Sequence, residues 1–283
     1  MSASATGTTA PVVRRRVARA GTGNRSRKSF TRSQRVIITV VNLVLFFTLW
    51  QLAPTILNIP TLFFPTLSAV IAEVPAMHAE GILISNVATS LRVYLVGMAF
   101  AIVFSVPLGL LLGGNKVLDR ILSPYLWVIY TTPLIILMPL ILLWVGINDT
   151  ARVLLVFISA IPAIIVVVME GVKTVDNSLL KAARSFGADK RRLFTHVIFP
   201  STVPFIGTGV KMGVSRGLIG LFVGELFTSA DGIGYIIELA SKVFDSARVY
   251  AMLLMFIAFS VSMVGLSQYV ENRLSSWRTT PNL

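Results

Sequence analysis

Hydrophobic residues of this chain come in long uncharged runs, separated by shorter polar segments. A run of about 20 apolar residues is long enough to cross the hydrocarbon core of a bilayer as a helix. We predict one membrane-spanning helix in each of six such runs, at residues 36–57, 93–114, 121–147, 153–169, 203–227 and 249–270. The pattern therefore predicts an all-α integral membrane protein with about six transmembrane helices.

Prolines interrupt two of these runs. Pro124, Pro133 and Pro139 lie in the third run, and Pro162 lies in the short fourth run. Proline lacks a backbone donor and bends a helix, and in a membrane the freed carbonyl groups need partners in neighbouring helices or water. We expect the third span to be bent, either because it packs in the protein interior or as a kink without functional meaning.

Composition agrees with a membrane protein and excludes several kinds of chemistry. The 283-residue chain is 55% hydrophobic and 13% charged, about half the charged share of a soluble domain. It has no cysteine, which excludes disulfides, iron–sulfur clusters and thiol chemistry. His78 and His196 are far apart in the sequence, whereas a metal site needs clustered ligands. We expect neither a metal nor a cofactor.

Basic residues lie mainly on one side of the predicted topology. With the N-terminus inside, most of the 25 lysines and arginines fall in inner segments, while the outer segments hold Arg152, Lys242 and Arg248. This bias follows the positive-inside rule, so we predict that both termini are cytoplasmic. It also accounts for the net charge of +13 without a nucleic-acid partner.

Polar tails flank the predicted membrane domain. Residues 1–35 are small, polar and basic, and we predict a disordered cytoplasmic tail there. The apolar stretch that follows is too long for the central region of a signal peptide. Residues 276–283 are expected to form a short cytoplasmic tail.

Two outer segments are long enough to contain helices of their own. Residues 58–92 include the helical pattern TLSAVIAEV, and residues 228–248 include DGIGYIIELASKVF. The apolar part of the second is too short to cross a bilayer, so we predict a re-entrant or interfacial helix.

A basic amphipathic stretch, SLLKAARSFGADKRRLFTHVIFP, lies between the fourth and fifth spans. Residues 176–178 supply N-cap chemistry, and Gly187 permits the left-handed turn that ends a helix. Asp189 can cap a second short helix, after which Pro200 and Pro204 would redirect the chain into the fifth span. The spacing i, i+3, i+4, i+7 of one apolar helical face is occupied by Leu179, Ala182, Ala183 and Phe186. The residues alone leave two interpretations open, an interfacial helix that binds anionic lipid and a docking surface for a cytoplasmic partner.

The fifth span carries three charges, Lys211, Arg216 and Glu225. Charged side chains are costly in lipid, so we expect them to face protein or water. Lys211 and Arg216 could attract an anion into a translocation pathway, or they could form structural pairs. Glu225 lies near the outer end, and its setting GELF resembles that of a permease family, which implies a role in a gate or in helix packing. Glycines recur along the same span and favour close helix approach.

The stretch KAARSFGADKRRLFTHVIFP resembles the EAA loop of ABC importer permeases, which has the pattern E-A-A, three residues, G, nine residues, I-x-L-P. Ala182, Ala183, Gly187 and Pro200 match this pattern. Lys181 stands where the family usually has glutamate, so no salt bridge through that position is carried over. The resemblance implies a cytoplasmic coupling helix that sits in a cleft of an ATPase. The residues that it implies for coupling are Lys181, Ala182, Ala183, Gly187, Ala188, Phe194 and Pro200.

Further segments resemble the nitrate/sulfonate/taurine-type permeases of bacterial inner membranes, over roughly residues 36–275. They are LFFPTLSAVIAEV, SLRVYLVGMAFAIVFSVPLGLLLG, PLIILMPLILLWVGI and SRGLIGLFVGELFTSADGIGYII. The resemblance implies one permease domain over residues 36–275 that forms the pathway for a small solute, by default a sulfonate, taurine or nitrate. It also implies three partners, namely a dimer of ABC ATPases, an extracytoplasmic solute-binding protein and a second permease copy in a homodimer. Thiamine precursors and other small organic solutes remain open.

The sequence contains no G-x-x-x-x-G-K-[ST] phosphate loop, so we expect a separate chain to hydrolyse ATP and this chain not to be an enzyme.

Two other functions compete with that of a permease. A self-sufficient secondary carrier or channel would need acidic residues deep in the membrane, and Glu225 alone qualifies. A membrane-embedded enzyme would need a nucleophile–base pair or a metal cluster, and the sequence offers neither.

Overall fold

The computed structural model describes residues 31–228 and 231–274. Most of the predicted N-terminal tail and all of the predicted C-terminal tail lie outside these residues. Within them, all regular secondary structure is helical. The helices are α1 Arg32–Ile56, α2 Leu67–Ala79, α3 Ile82–Gly114, α4 Lys116–Thr131, α5 Met138–Val145, α6 Asp149–Lys173, α7 Asn177–Ser185, α8 Lys190–Leu193, α9 Phe199–Phe227, α10 Ile233–Lys242 and α11 Ser246–Leu274, with a 3₁₀ turn at Leu134–Leu137 and a π turn at Phe194–Ile198. The described residues up to Phe46 form one structural unit, and the packing and sites described below belong to the unit that begins at Phe47.

Five helical segments are long and apolar enough to cross a membrane, and a bent pair forms a sixth candidate. The five are Val36–Ile56, Ile82–Gly114, Asp149–Lys173, Lys190–Phe227 and Ser246–Arg273. The bent pair joins α4 to Ile135–Val145 at an angle of 89°. Its break falls where Pro133 forces the preceding Thr132 into an extended conformation, with ψ at 126°. The structure thus has five or six candidate spans, in agreement with the predicted number of about six, and the third is bent as expected.

Several spans are longer than the apolar runs predict, among them α3 and α6. α3 begins at Ile82 instead of residue 93, and α6 covers 25 residues instead of the short run 153–169. Polar residues at the start of α3, Asn86 and Ser90, are buried and hydrogen-bonded inside the protein, so they do not end the helix. Arg152, which the sequence places in an outer loop, is a buried residue of α6; that prediction was wrong.

α6 forms the centre of the fold, where it packs along its length against α3 and α9. Small residues allow this approach. A Cβ added to Gly213 of α9 would lie 2.5 Å from Ile164 Cγ1, and one added to Gly220 would lie 2.5 Å from the Leu155 carbonyl oxygen. In lipid, where apolar burial brings no gain over the solvent, such close backbone contact supplies the packing energy. The recurring glycines of the fifth span therefore serve helix packing.

Candidate functional site

α7 is a short helix with well-defined ends. The Asp176 carboxylate accepts a hydrogen bond from the Ser178 N–H at 2.7 Å, and this bond lowers the pKa of Asp176 below its usual value. At the other end Gly187 has φ of +79°, and the Ala188 N–H donates to the Ala183 carbonyl oxygen at 3.0 Å. These bonds form the left-handed helix end that glycine favours. The predicted caps of this helix are confirmed.

The segment after Gly187 runs into the fifth span without a break. Asp189 accepts a hydrogen bond from the Arg192 N–H at 2.8 Å and caps α8, as predicted. The π turn then leads into α9, and Lys190–Phe227 forms one span. The expectation that Pro200 redirects the chain was wrong. Pro200 lacks the backbone donor that this position of a continuous helix would use, and the wider π turn just before it accommodates the ring.

α7 presents two opposite faces. On one side Phe186 is 91% exposed and Leu179 is 51% exposed, with Ala182 exposed between them. On the other side Asn177, Leu180 and Arg184, spaced i, i+3 and i+7, line a cleft of the protein. The predicted apolar face is thus uncovered by the rest of the described chain.

The residues that the family resemblance implies for coupling fall into two groups. Lys181, exposed, and Ala183 and Ala188, both half-buried, belong to α7 and the turn after it. Phe194 and Pro200 lie further along, where the ring of Phe194 is 6.4 Å from that of Phe199. The structure therefore gathers Lys181, Ala182, Ala183, Gly187 and Ala188 on one capped helix and its end, and leaves Phe194 and Pro200 at the entry to α9.

The three charges of α9 occupy three separate environments. Lys211 Nζ lies 3.6 Å from Glu271 Oε2 of α11 and donates a hydrogen bond to Gln268, which is a structural pairing. Arg216 lies over the ring of Tyr130, 5.2 Å from its centroid. No carboxylate of residues 31–228 or 231–274 forms an ion pair with Arg216.

Arg216 borders a cavity of about 580 Å³ between α4, α6 and α9. The cavity wall also carries the hydroxyl groups of Thr131, Thr132 and Ser159, next to the break in the third span. These hydroxyls donate to backbone carbonyl oxygens three or four residues earlier, so the guanidinium of Arg216 supplies the hydrogen-bond donors that suit an anionic group in this space.

Glu225 is completely buried near the other end of α9. Its carboxylate accepts hydrogen bonds from Ser90 Oγ of α3 at 2.5 Å and from the Gly234 N–H of α10 at 2.8 Å. The Gly232 N–H donates to Asn86 Oδ1 at 2.6 Å. The predicted short helix in residues 228–248 is therefore present as α10, and its first turn is fastened to two spans.

Arg152 is the buried charge that the sequence did not reveal. It is 3% exposed, pairs with Asp149 on its own helix, and contacts Asp231 Oδ1 at 2.7 Å and the Asp231 carbonyl oxygen at 2.8 Å. This pair joins α6 to the turn before α10. The i, i+3 spacing of Asp149 and Arg152 was the one available signal in the sequence, whereas Asp231 is distant along the chain.

Comparisons with known proteins agree with this architecture. The family described as binding-protein-dependent transport system inner membrane component matches residues 105–276. The taurine transport system permease protein TauC of Escherichia coli is 27% identical over 252 residues, covering 87% of this chain and 91% of that protein. The formylaminopyrimidine transport permease protein ThiX of Halalkalibacterium halodurans is 25% identical and covers 87% and 98%.

The solved structures add a likeness in fold. The inward-facing MetNI methionine ABC transporter contains a chain that superimposes with a TM-score of 0.61 at 18% identity, covering 69% of this chain and 97% of that one. The family match extends over more than half of the present sequence, from the second span to the end of α11. This multi-pass membrane protein is an ABC transporter permease and belongs to the family of binding-protein-dependent transport system inner membrane components.

Proposed function

We propose that the chain imports a small sulfonate-type anion and is driven by a separate ATPase that docks on the exposed apolar face of α7. The observation that carries the proposal is the pair Phe186 and Leu179, 91% and 51% exposed on one face of a capped helix. Exposed apolar faces of this kind are favourable where a partner covers them. A family of binding-protein-dependent transport components, together with the absence of a phosphate loop from this sequence, supports an ATPase as that partner.

The connection from α7 to the pathway supports a coupling role. α7 is followed by Gly187, α8 and the π turn, which continues into the helix that bears Arg216. The caps of α7 hold it as a rigid body, so a push on its exposed face is transmitted toward α9. We therefore assign coupling to Lys181, Ala182, Ala183, Gly187 and Ala188, with Phe194 and Pro200 as the link into the span.

The cavity beside Arg216 supports an anionic substrate. A guanidinium binds sulfonate and carboxylate oxygens through several parallel hydrogen bonds, and Arg216 has no carboxylate partner in the described chain that would compete. Curated relatives are named for taurine and for aliphatic sulfonates, although another is named for formylaminopyrimidine. We assign the pathway contact to Arg216, a packing role to Lys211, and a gating role at the outer end to Glu225.

The complete transporter would contain an ATPase dimer, two copies of this chain and an extracytoplasmic binding protein. In this arrangement both termini and α7 face the cytoplasm, as the distribution of lysine and arginine favours. Residues 36–275 would form the permease domain in the bilayer, and no nucleic acid takes part.

The first experiment is purification of the tagged chain from its native membranes in mild detergent, with partners identified by mass spectrometry. We expect a stoichiometric second chain that contains a phosphate-loop motif. Recovery of the chain alone from several detergents would contradict the proposal and would favour a self-sufficient carrier or channel.

A further inference from the structure

A second cleft lies on the inner side of α7 and has no part in the proposals above. It has a volume of about 1000 Å³ and is formed by the end of α3, the start of α4, the end of α6 and the covered face of α7. We call it the basic cleft, because four cations line it. They are Lys116, Arg120, Lys173 and Arg184.

The carboxylate in the basic cleft is already neutralised. Lys173 Nζ lies 2.9 Å from Asp119 Oδ1 and 3.1 Å from Glu170 Oε1, and Asp119 also accepts a hydrogen bond from Ser123. Lys173 and Asp119 thus satisfy one another, together with Glu170. The positive charge of the cleft comes from the other three cations.

Lys116, Arg120 and Arg184 form no ion pair with any carboxylate in residues 31–228 and 231–274. They come from two helices that are distant in the sequence, α4 and α7, and their exposed side chains line one space. Three like charges around a cleft repel one another. An anion of matching size would remove this repulsion.

The start of α4 adds to the positive potential. α4 is a 16-residue helix, capped by Asn115, whose side chain accepts from the Val117 N–H at 3.0 Å. The N-terminal end of a helix carries a partial positive charge and favours anions. Asp119, in the same first turn, is already paired with Lys173. The helix end and the three cations therefore converge on the same kind of ligand.

Most of the remaining wall is apolar. Leu180, Leu193, Ile198 and Trp127 line the cleft beside the cations. Tryptophan and long basic side chains together are typical of the boundary between lipid headgroups and hydrocarbon. Such a wall suits a phosphate group that is attached to apolar chains, and it also admits a free phosphate.

We propose that the basic cleft binds a phosphate group through Lys116, Arg120 and Arg184, supplied by an anionic phospholipid or by free phosphate. Arginine and lysine bind phosphate oxygens by charge-assisted hydrogen bonds. Because Arg184 belongs to α7 and the other two cations to α4, the bound phosphate ties α7 to the third span. This consequence for coupling rests on the proposed function, whereas the binding itself does not.

The test uses the full-length chain, produced without any ATPase and stripped of lipid in detergent. Native mass spectrometry measures retention of phosphatidylglycerol and of zwitterionic phosphatidylcholine, and calorimetry measures binding of inorganic phosphate. The variant Arg120→Gln/Arg184→Gln removes two cations from the cleft. The matched control Arg191→Gln/Arg192→Gln removes two exposed cations of α8 that do not line it.

We expect the natural chain to bind phosphatidylglycerol at least about tenfold more tightly than phosphatidylcholine, since each charge-assisted contact contributes about tenfold or more to the affinity. Of the two double variants, the cleft variant alone should lose this preference. Saturable binding of inorganic phosphate that only the cleft variant loses would assign the site to a soluble anion. The proposal would be overturned if both double variants lost anion binding equally. It would also be overturned if the natural chain neither preferred phosphatidylglycerol over phosphatidylcholine nor bound inorganic phosphate saturably. If the double variant is not monodisperse, Arg184→Gln against Arg191→Gln makes the same comparison.

Discussion

Ser90 Oγ donates a hydrogen bond to Glu225 Oε1 at 2.5 Å, and the same hydroxyl oxygen accepts one from the Ile233 N–H at 2.9 Å. One serine of α3 therefore links α9 to the first turn of α10. Glu225 completes the link by accepting from the Gly234 N–H at 2.8 Å. Because Ser90 and Glu225 are fully buried, no solvent can replace these bonds, and α10 is held where it is by two spans.

The first prediction concerns this buried carboxylate. Glu225→Ala leaves the Ser90 hydroxyl and the Gly234 N–H without their partner in a buried site, so we expect a loss of about 2 kcal/mol or more in stability. Glu238→Ala is the control, since Glu238 pairs with the exposed Lys242 and such pairs contribute about 0–1 kcal/mol. Thermal unfolding in detergent compares the two, and equal midpoints would show that the buried bonds are unimportant.

The second prediction tests the close approach of α6 and α9. Gly220→Ala places a methyl group 2.5 Å from the Leu155 carbonyl oxygen, which forces the helices apart and costs about 1–3 kcal/mol. Gly265→Ala on α11 meets nothing within 4 Å and gains up to about 1 kcal/mol of helix propensity. Unfolding midpoints that move in opposite directions are expected. A neutral Gly220→Ala would mean that the helices are not packed as described.

Much of the fold follows from the sequence, because the features that decide it are local. Apolar runs identify the spans, and the residue before Pro133 explains the bend of the third. The ends of α7 follow from the short-range chemistry of Asp176 and Gly187. Each of these signals lies within a few residues of the structure that it determines.

The parts that the sequence did not reveal depend on contacts between distant segments. Arg152 was assigned to a loop because a charge usually ends a span, but Asp231 neutralises it from the turn before α10. The pairing of Lys211 with Glu271 was one of two possibilities that the sequence could not separate. Buried polar groups are recognised only when their partners are known, and the partners come from the tertiary fold.

The third prediction concerns the exposed ring of α7. Phe186→Ser removes a side chain that is 91% exposed, so the stability of the permease should change by less than about 0.5 kcal/mol. Recovery of the ATPase with the tagged chain should fall at least about tenfold, since an aromatic anchor in a protein interface typically contributes 2 kcal/mol or more.

The control for Phe186 is Phe63→Ser. Phe63 is 66% exposed and lies between α1 and α2, on the opposite side of the predicted topology. The Phe63→Ser variant should leave ATPase recovery unchanged. If the two variants behaved alike, the apolar face of α7 would not be the docking surface.

The fourth prediction separates backbone conformation from space at Gly187. Its φ is +79° and a Cβ there would meet nothing within 4 Å, so strain in the left-handed region is the single obstacle to substitution. Gly187→Val should abolish uptake and loosen ATPase binding while the protein still inserts, whereas Gly187→Asn should retain most activity because asparagine tolerates this conformation. Normal uptake by the valine variant in membrane vesicles would contradict a coupling role for this turn.

The last prediction concerns the cation beside the cavity of the third span. Arg216→Gln removes the charge next to Tyr130 and keeps a polar but shorter side chain, and we expect uptake of an anionic substrate to fall about tenfold or more. Arg216→Lys keeps the charge without the planar fork, and its uptake should be intermediate.

Lys211→Gln is the matched control for the Arg216 variants. Because Lys211 is paired with Glu271 on α11, this substitution should affect stability more than uptake. Radiolabelled taurine uptake in vesicles, with ATPase recovery measured in parallel, separates a pathway defect from an assembly defect. Equal uptake by Arg216→Gln and the natural chain would remove Arg216 from the pathway and leave it as a partner of Tyr130 in helix packing.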